Sequence, residues 1–298
     1  MLDVLCVGHA SFDIAMSVPH HPGSDEKILA DALMLGGGGP AANAAVQVAR
    51  LDGSAGFCGY LGHDLFGEEH IEEFAHEGVD TGLTVRGGHA SPLSQILAKP
   101  DGSRSVVNFK GDTPWLPADA VEVRRIEALA PSVILFDGHE PLLSEVLCTW
   151  AKENNIITVL DAGSLHRGTR ELARQVDYLI ASDKFACQYC GLDKPEACLA
   201  PLAHIAASVV ITLGERGLIW SRAGKTGHLP AYPIEAVDST GAGDSFHGAF
   251  ALAVARNMAW DDSLLFASAA GGLTCTRLGA RAALPDGEQV RGLIGNNS

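Results

Sequence analysis

The stretch DSTGAGDSFHGAF, residues 238–250, decides how this chain folds, because a glycine-rich turn there runs straight into an apolar helix pattern. Gly241 and Gly243 bracket Ala242, so backbone N–H groups can face open space just ahead of the helix. The spacing of Phe246, Ala249, Phe250, Ala253 and Val254 predicts that helix and starts it near Asp244. A helix amino end carries free N–H groups and about half a positive charge, which suits a phosphate. Asp244 then has two readings from the residues alone. It is an N-cap worth ~1 kcal/mol, or it is a base beside a bound phosphate, placed to take the proton of a hydroxyl that attacks phosphorus. A cap by itself would not need glycine at both 241 and 243.

A second glycine stretch, LGGGGPAANAAVQVARL at 35–51, lies about 200 residues upstream. Its Gly36-x-Gly38-x-x-Ala41 spacing imitates a dinucleotide fingerprint and so raises a nicotinamide dehydrogenase as an alternative. Against that, the motif does not follow the first core strand, Pro40 sits inside the turn, and no acid ends a strand about twenty residues later. Another use fits better. Gly38 and Gly39 let a ligand approach the backbone, Pro40 opens the helix, and Asn43 offers a donor and an acceptor to a polyhydroxylated molecule. A tight turn with a capping asparagine is the plainer alternative. A Walker loop is excluded: the Gly224-Lys225-Thr226 tripeptide has Ile219 where the first glycine should stand.

Around these turns, short apolar runs alternate with helical patterns, the signature of βα units on a largely parallel sheet. Candidate core strands are VLCVG (4–8), AGFCGYLG (55–62), VILFDG (133–138), ITVLDAG (157–163), YLIAS (178–182) and SVVITLG (208–214). Their carboxyl ends are where an open α/β sheet gathers ligands. Two segments break the rhythm, EKILADALMLGGGG (26–39) and SPLSQILAKPDGSRSVVNFKG (91–111), the latter with a PDGSR hairpin turn. No crossover helix follows either at once. Segments 13–36 and 90–112 are therefore expected to form a small β lid on a single domain spanning 1–298.

Composition is that of a soluble enzyme, with 47% hydrophobic and 19% charged residues and no run of 18 apolar residues to span a membrane. A net charge of −15 repels phosphate backbones and anionic membrane surfaces, so neither nucleic acid nor membrane is an expected partner. The start, MLDVLCVGHASFD, reads as a buried strand rather than a signal peptide, and the expected location is cytoplasmic. The seven cysteines are scattered; Cys187, Cys190 and Cys198 cluster, but one CxxC without a second ligand pair reads as buried thiols at a helix end rather than zinc.

Together, the two glycine stretches resemble the paired signatures of the PfkB/ribokinase family of carbohydrate kinases, the second almost letter for letter. Weaker matches at GHASFD, ITLGERG (211–217) and CTRLGARAALPD extend the resemblance over essentially the whole chain. It implies a ribokinase-like three-layer α/β/α fold with a β lid, ATP and Mg²⁺ as cofactors, a small sugar as acceptor, and a homodimer through the lid, where Ile28, Leu33 and Leu35 would offer an apolar face.

By the same resemblance Asp244 is the catalytic base, and the N–H groups of Gly241, Ala242 and Gly243 hold the transferring phosphoryl. Asp13, Gly38, Gly39 and Asn43 bind the sugar, joined by Asn108, Lys110 and His139. Ser182, Lys184, Thr212, Gly214 and Gly217 face ATP, with Ala269 and Leu273 packing the adenine. Asp238 and Thr240 stand where some members hold a monovalent cation such as K⁺. The family's N-x-x-E motif is absent, Ser182-Asp183-Lys184-Phe185 standing in its place. Ser11, where ribokinase has Asn, points away from ribose. The carboxyl-terminal run looks closest to sulfofructose kinases and related hexose kinases, which implies a hexose or ketose, plain or with a 6-sulfo or phospho group. Arg104, Lys110 or His139 would supply the cation such a group needs. A nucleoside kinase shares fold and chemistry but calls for an aromatic base pocket, and only 6% of residues are aromatic.

Overall fold

The structure, a computed structural model, describes residues 1–101 and 103–296. In chain order its strands are β1 (Val4–Val7), β2 (Ser11–Ser17), β3 (Ala32–Gly38), β4 (Ala55–Cys58), β5 (Tyr60–Gly62), β6 (Val85–Gly87), β7 (Leu93–Ala98), β8 (Arg104–Phe109), β9 (Val133–Phe136), β10 (Ile157–Ala162), β11 (Tyr178–Ser182), β12 (Ser208–Thr212), β13 (Leu218–Arg222) and β14 (Lys225–Leu229). The helices are α1 (Pro40–Arg50), α2 (Leu65–Glu77), α3 (Val123–Leu129), α4 (Pro141–Glu153), α5 (Arg167–Leu172), α6 (Asp183–Cys190), α7 (Pro195–Ala203), α8 (Ala242–Ala255), α9 (Trp260–Thr274) and α10 (Gly287–Gly295).

Eight strands form the main sheet in the order β14-β13-β12-β11-β10-β9-β1-β4, parallel from β12 to β4 and antiparallel at the β13 and β14 edge. Both faces of the parallel strands are covered, so they read as unbroken apolar runs rather than alternating ones. The pleat divides each strand between two cores. Val4 and Cys6 join one with α1, α8, α9 and α10, whereas Leu5 and Val7 join the other with α4, α6 and α7. The fold is therefore the expected ribokinase-like α/β sandwich. One expected strand divides: AGFCGYLG breaks at Gly59, and Tyr60–Gly62 leaves the main sheet to pair with β6. A Cβ on Gly59 would lie 2.2 Å from the Gly8 carbonyl, so the chain bends past the end of β1 too closely to continue flat.

The two excursions meet in one separate four-stranded sheet, β3-β2-β7-β8. The PDGSR turn joins β7 to β8, and its Gly102 lies outside the described residues. The first glycine run is not a turn, as its composition suggested. Gly36, Gly37 and Gly38 are extended in β3 and pair with Asp13, Phe12 and Ser11. Only Gly39, with φ 92°, turns the chain, and α1 follows directly. Among the described residues no helix is long and apolar enough to cross a membrane.

Candidate active site

Helices α1 and α8 pack against each other through small residues. Ala41, Ala42, Ala44 and Ala45 face Gly248, Ala249, Ala251 and Ala253 in one core, and a Cβ on Gly248 would lie 2.6 Å from the Ala44 carbonyl. Ser245 Oγ donates to Gln47 Oε1 at 2.7 Å across the contact. That close approach brings together two residues 201 positions apart: Asn43 Nδ2 donates to Asp244 Oδ2 at 2.7 Å. Asp244 belongs to the first turn of α8, which begins two residues earlier than its apolar spacing suggested and is capped by Gly241 in a left-handed conformation. The carboxylate therefore does not cap its own helix. It is free to act on something outside it.

Three acids from different elements converge here, the half-buried Asp244 and the buried Asp137 and Asp161. Asp137 follows β9 and accepts backbone N–H bonds from His9 at 2.7 Å, His139 at 2.8 Å and Ala41 at 3.2 Å, tying the start of α1 to the sheet. Asp161, in β10, lies 3.3 Å from His247 Nδ1 of α8. That ring nitrogen also donates to the Gly243 carbonyl at 2.5 Å. Burial raises the pKa of both Asp161 and Asp244; the charge of Asp244 raises Asp161 further, and that of Asp137 raises both. Asp244 has the Asn43 amide, His247 and the charge of Arg104 to favour its anion, whereas Asp161 has the Gly163 N–H and the same His247 ring, which it shares with the Gly243 carbonyl. When one of the two carries a proton it is Asp161, which leaves Asp244 ionised and able to accept one.

On the other side of Asn43 stands Asp13. Its carboxylate lies directly over Gly38, where a Cβ would sit 2.2 Å from Oδ2. Burial pushes Asp13 up to about 6, against hydrogen bonds from Ser11 and Ser94 and the charge of Arg281. Arg281 carried no sequence signal of its own beyond the LGARAALP run, yet it ties this corner together. Only 3% exposed, its guanidinium donates to Glu73 Oε2 at 2.9 Å, to Asn43 Oδ1 at 3.3 Å and to the Gly38 carbonyl at 3.5 Å. Glu73 in turn accepts from Gly37 N at 2.7 Å. Because Arg281 occupies Oδ1, Asn43 turns its amide nitrogen toward Asp244. A cavity of about 220 Å³ opens between Asp13, Gly36, Gly37 and residues 279–282.

Comparison with known proteins places this arrangement. The model of the pfkB family carbohydrate kinases matches residues 1–287. The chain belongs to that family. It is 28% identical to the ribokinase of Bacillus subtilis, over 99% of this chain and 100% of that protein. It is 27% identical to fructokinase-1 of Oryza sativa subsp. japonica, over 89% and 90%. The crystal structure of the Thermotoga maritima ribokinase superposes with a TM-score of 0.87 at 25% identity, covering 99% of this chain and 100% of that one. The protein is thus an ATP-dependent carbohydrate kinase, a phosphotransferase that acts on sugar hydroxyls.

The remaining expected residues of the kinase distribute as follows. Of the three N–H groups expected to hold a phosphoryl group, that of Ala242 already donates to the Ser239 carbonyl at 3.3 Å. Those of Gly241 and Gly243 have no such partner among the described contacts, and Gly243 is exposed. Asn108, Ser94 and Asp13 share one rung, and so one face, of the four-stranded sheet. Lys110 follows β8 and lies 3.8 Å from Glu140 Oε1. Arg104, at the other end of β8, donates to Ser239 Oγ at 2.9 Å, reaching from the four-stranded sheet to the glycine turn of α8 rather than toward His139.

On the nucleotide side, Ser182 caps α6 by accepting from Phe185 N at 2.9 Å, and the Lys184 side chain is exposed. Thr212 ends β12, and a Cβ on Gly214 would meet open space. Gly217 has a packing reason instead, since a Cβ there would lie 2.0 Å from the Leu229 carbonyl. Ala269 is fully buried beneath α8 and offers no surface to an adenine, a correction to its expected contact; Leu273, one turn on, remains partly exposed. Asp238, 2% exposed, accepts from Thr240 N at 2.9 Å, Thr240 Oγ1 at 2.6 Å and Gly279 N at 2.9 Å. Among the described residues no three His, Cys, Asp or Glu side chains stand close enough to hold a metal ion.

Proposed function

We propose that this kinase transfers the γ-phosphoryl group of ATP to a hydroxyl of a small carbohydrate, a hexose or ketose, bound between the lid sheet and the amino ends of α1 and α8. The observation that carries the reading is the Asn43–Asp244 hydrogen bond, with Asp13 on one flank and the N–H groups of Gly241 and Gly243 on the other. Asp13 and Asn43 orient the sugar hydroxyls over Gly38 and Gly39. Asp244 takes the proton of the attacking hydroxyl, and the N–H groups at the start of α8 receive the charge that builds on the phosphoryl oxygens. Ser182, Lys184, Thr212, Gly214 and Leu273 line the nucleotide's side of the sheet edge. ATP supplies the phosphoryl group, and Mg²⁺ held chiefly by its phosphate oxygens would neutralise their charge. A monovalent cation such as K⁺ belongs at the Asp238–Thr240 loop, where a buried carboxylate has no Lys, Arg or His partner among the described residues. Coupled ADP release over ribose, fructose, glucose and nucleosides tests the reading: turnover on a ketose or hexose supports it, and turnover on nucleosides alone overturns it.

A pH dependence follows from Asp13. Its carboxylate accepts hydrogen bonds from sugar hydroxyls only when ionised, and its pKa in the free enzyme is about 6. The value of kcat/KM should therefore fall about tenfold per pH unit below pH ~6 and level off above it. Asp244, also raised by burial, adds to the same limb. In Asp13→Asn the Asp13 contribution disappears, and an acid limb that keeps its midpoint in this variant assigns it to another group.

The reading includes a lid-to-lid homodimer. The face of the lid sheet opposite Asp13 carries Phe12, Ile14, Leu33, Leu35, Val107 and Phe109. Leu33, Leu35, Val107 and Phe109 are 58%, 57%, 68% and 54% exposed, an apolar patch that calls for a partner. Light scattering should give the mass of two chains for the native protein and one for Leu35→Asp combined with Val107→Asp; a native protein that runs as a single chain refutes the dimer.

A further inference from the structure

His247 is a polar ring set among the apolar side chains of α8. It is only 4% exposed, and its ring meets that of Phe246 edge-on at 6.0 Å. Every polar neighbour of the ring is an oxygen. Nδ1 lies 2.5 Å from the Gly243 carbonyl and 3.3 Å from Asp161 Oδ2, and Nε2 lies 3.4 Å from the Ile180 carbonyl of β11. Burial holds the ring's pKa below its usual range, against the Asp244 charge and the two carbonyls, so near neutrality the ring has a single N–H to give. Two acceptors at Nδ1 outweigh the more distant one at Nε2 and put the proton on Nδ1. Nε2 is left as an acceptor facing an acceptor. A leucine would fill much the same space without that cost. Conflicts of this kind collect where a site needs them.

The Gly243 carbonyl belongs to the peptide that joins Gly243 to Asp244, and the N–H of that peptide is Asp244's own. The α8 ladder opens with Ser245 N, which donates to the Gly241 carbonyl at 2.8 Å, so the Asp244 N–H belongs to the free first turn and has no partner among the described contacts. One rigid plane therefore carries a free N–H at the amino end of α8, a carbonyl engaged from behind by His247, and the Cα of Asp244 at its edge. In an α-helix that carbonyl already accepts the N–H four residues on. The imidazole adds a second donor from the side, which fixes the plane and polarises its N–H. Asp161 in β10 holds the ring in turn, tying the first turn of α8 to the main sheet.

We infer that His247 is a positioning residue for phosphoryl transfer: by holding the Gly243–Asp244 peptide it aims the Asp244 N–H at the transferring group and keeps the Asp244 carboxylate in line with the attacking hydroxyl. This rests on Asp244 being the base of the kinase. It adds the N–H of Asp244 to those of Gly241 and Gly243. Charge on the phosphoryl oxygens and proton transfer both develop after the substrates are bound, so the role belongs to kcat and not to KM.

Three variants test it, assayed with the sugar that gives the native enzyme its fastest ADP release. In His247→Asn the amide nitrogen falls where Nδ1 lies; in His247→Gln it falls where Nε2 lies; His247→Leu has no donor. His247→Gln and His247→Leu should each lower kcat about tenfold while the KM values for sugar and ATP stay within about twofold, and His247→Asn should regain most of the loss. Removing a whole donor from an oxyanion site costs roughly 10²–10³, and misaiming one that remains costs less. A merely structural histidine would lower the thermal midpoint of Asn and Gln variants alike and would not separate them in kcat. Should His247→Leu fail to fold, the contrast between the Asn and Gln variants decides alone. Equal kcat in those two, or a loss that falls on KM, overturns the inference. Asp244→Asn runs beside them: turnover that collapses there but holds in every His247 variant overturns the positioning role and leaves the base in place, whereas native turnover in Asp244→Asn removes the base and this inference with it.

Discussion

Asp244→Asn should keep ATP bound and lower kcat by about 10² or more, the usual scale for removing a general base. The substitution is nearly isosteric. Asparagine can still accept the Asn43 bond, now 2.7 Å to Asp244, so the contact between α1 and α8 survives. What is lost is the capacity to take a proton. Burial already penalises the Asp244 anion, so the neutral replacement should not lower the thermal midpoint. Calorimetric titration with ATP and a single-turnover phosphoryl-transfer assay separate the two effects. Near-native turnover would remove Asp244 from its assigned role, whereas lost ATP affinity would show that the acid shapes the glycine turn instead.

The second large effect is expected at Arg281. Arg281→Met removes a buried guanidinium, leaves Asn43 Oδ1 without its donor and leaves the Gly38 carbonyl with His70 Nε2 alone, at 3.3 Å. Breaking a buried ion pair from one side costs about 3–5 kcal/mol; with the Glu73 side chain 28% exposed, a cost of about 2–3 kcal/mol is the better expectation. Denaturant unfolding measures it. The kinetic consequence is more specific. Asn43 loses the bond that orients its amide, and Asp13 loses a charge that favours its ionisation. The sugar KM should rise about tenfold or more, and the acid limb of kcat/KM should move above pH ~6, with ATP affinity little changed. A loss of stability with an unmoved pH profile would make Arg281 a packing residue only. Arg281→Lys should restore part of the profile but not all of it, since an ammonium cannot bond Glu73, Asn43 and Gly38 from one plane.

Much of this site was legible because its chemistry is carried by short, local patterns. The DSTGAGDSFHGAF run announces a helix amino end with exposed N–H groups, and the structure has one, beginning at Ala242. Five of the six core strands were readable since parallel strands covered on both faces must be apolar throughout, whereas AGFCGYLG, equally apolar, gave no sign that it divides at Gly59. Two more things were misread for physical reasons. Glycines predict freedom, not conformation, so GGGG read as a turn although pairing with β2 holds Gly36–Gly38 extended. Ala269 suited an adenine contact by its place in the chain, but only packing could show that the core encloses it completely.

The sequence alone determined the class of fold, the two glycine-bearing elements and the acid between them, because periodicity and turn chemistry act over a few residues. Tertiary structure decided what those elements do to one another. Asn43 reaches Asp244 only because small residues let α1 and α8 approach. Arg281 reaches Asn43 across 238 residues, and His9, His139 and His166, separated by up to 157 positions, lie ring beside ring because β1, β9 and β10 are neighbours in the sheet. Such contacts leave no periodic trace along the chain. They follow from which strands are adjacent and which side chains are small enough to let helices meet, and that is settled only when the whole core is packed.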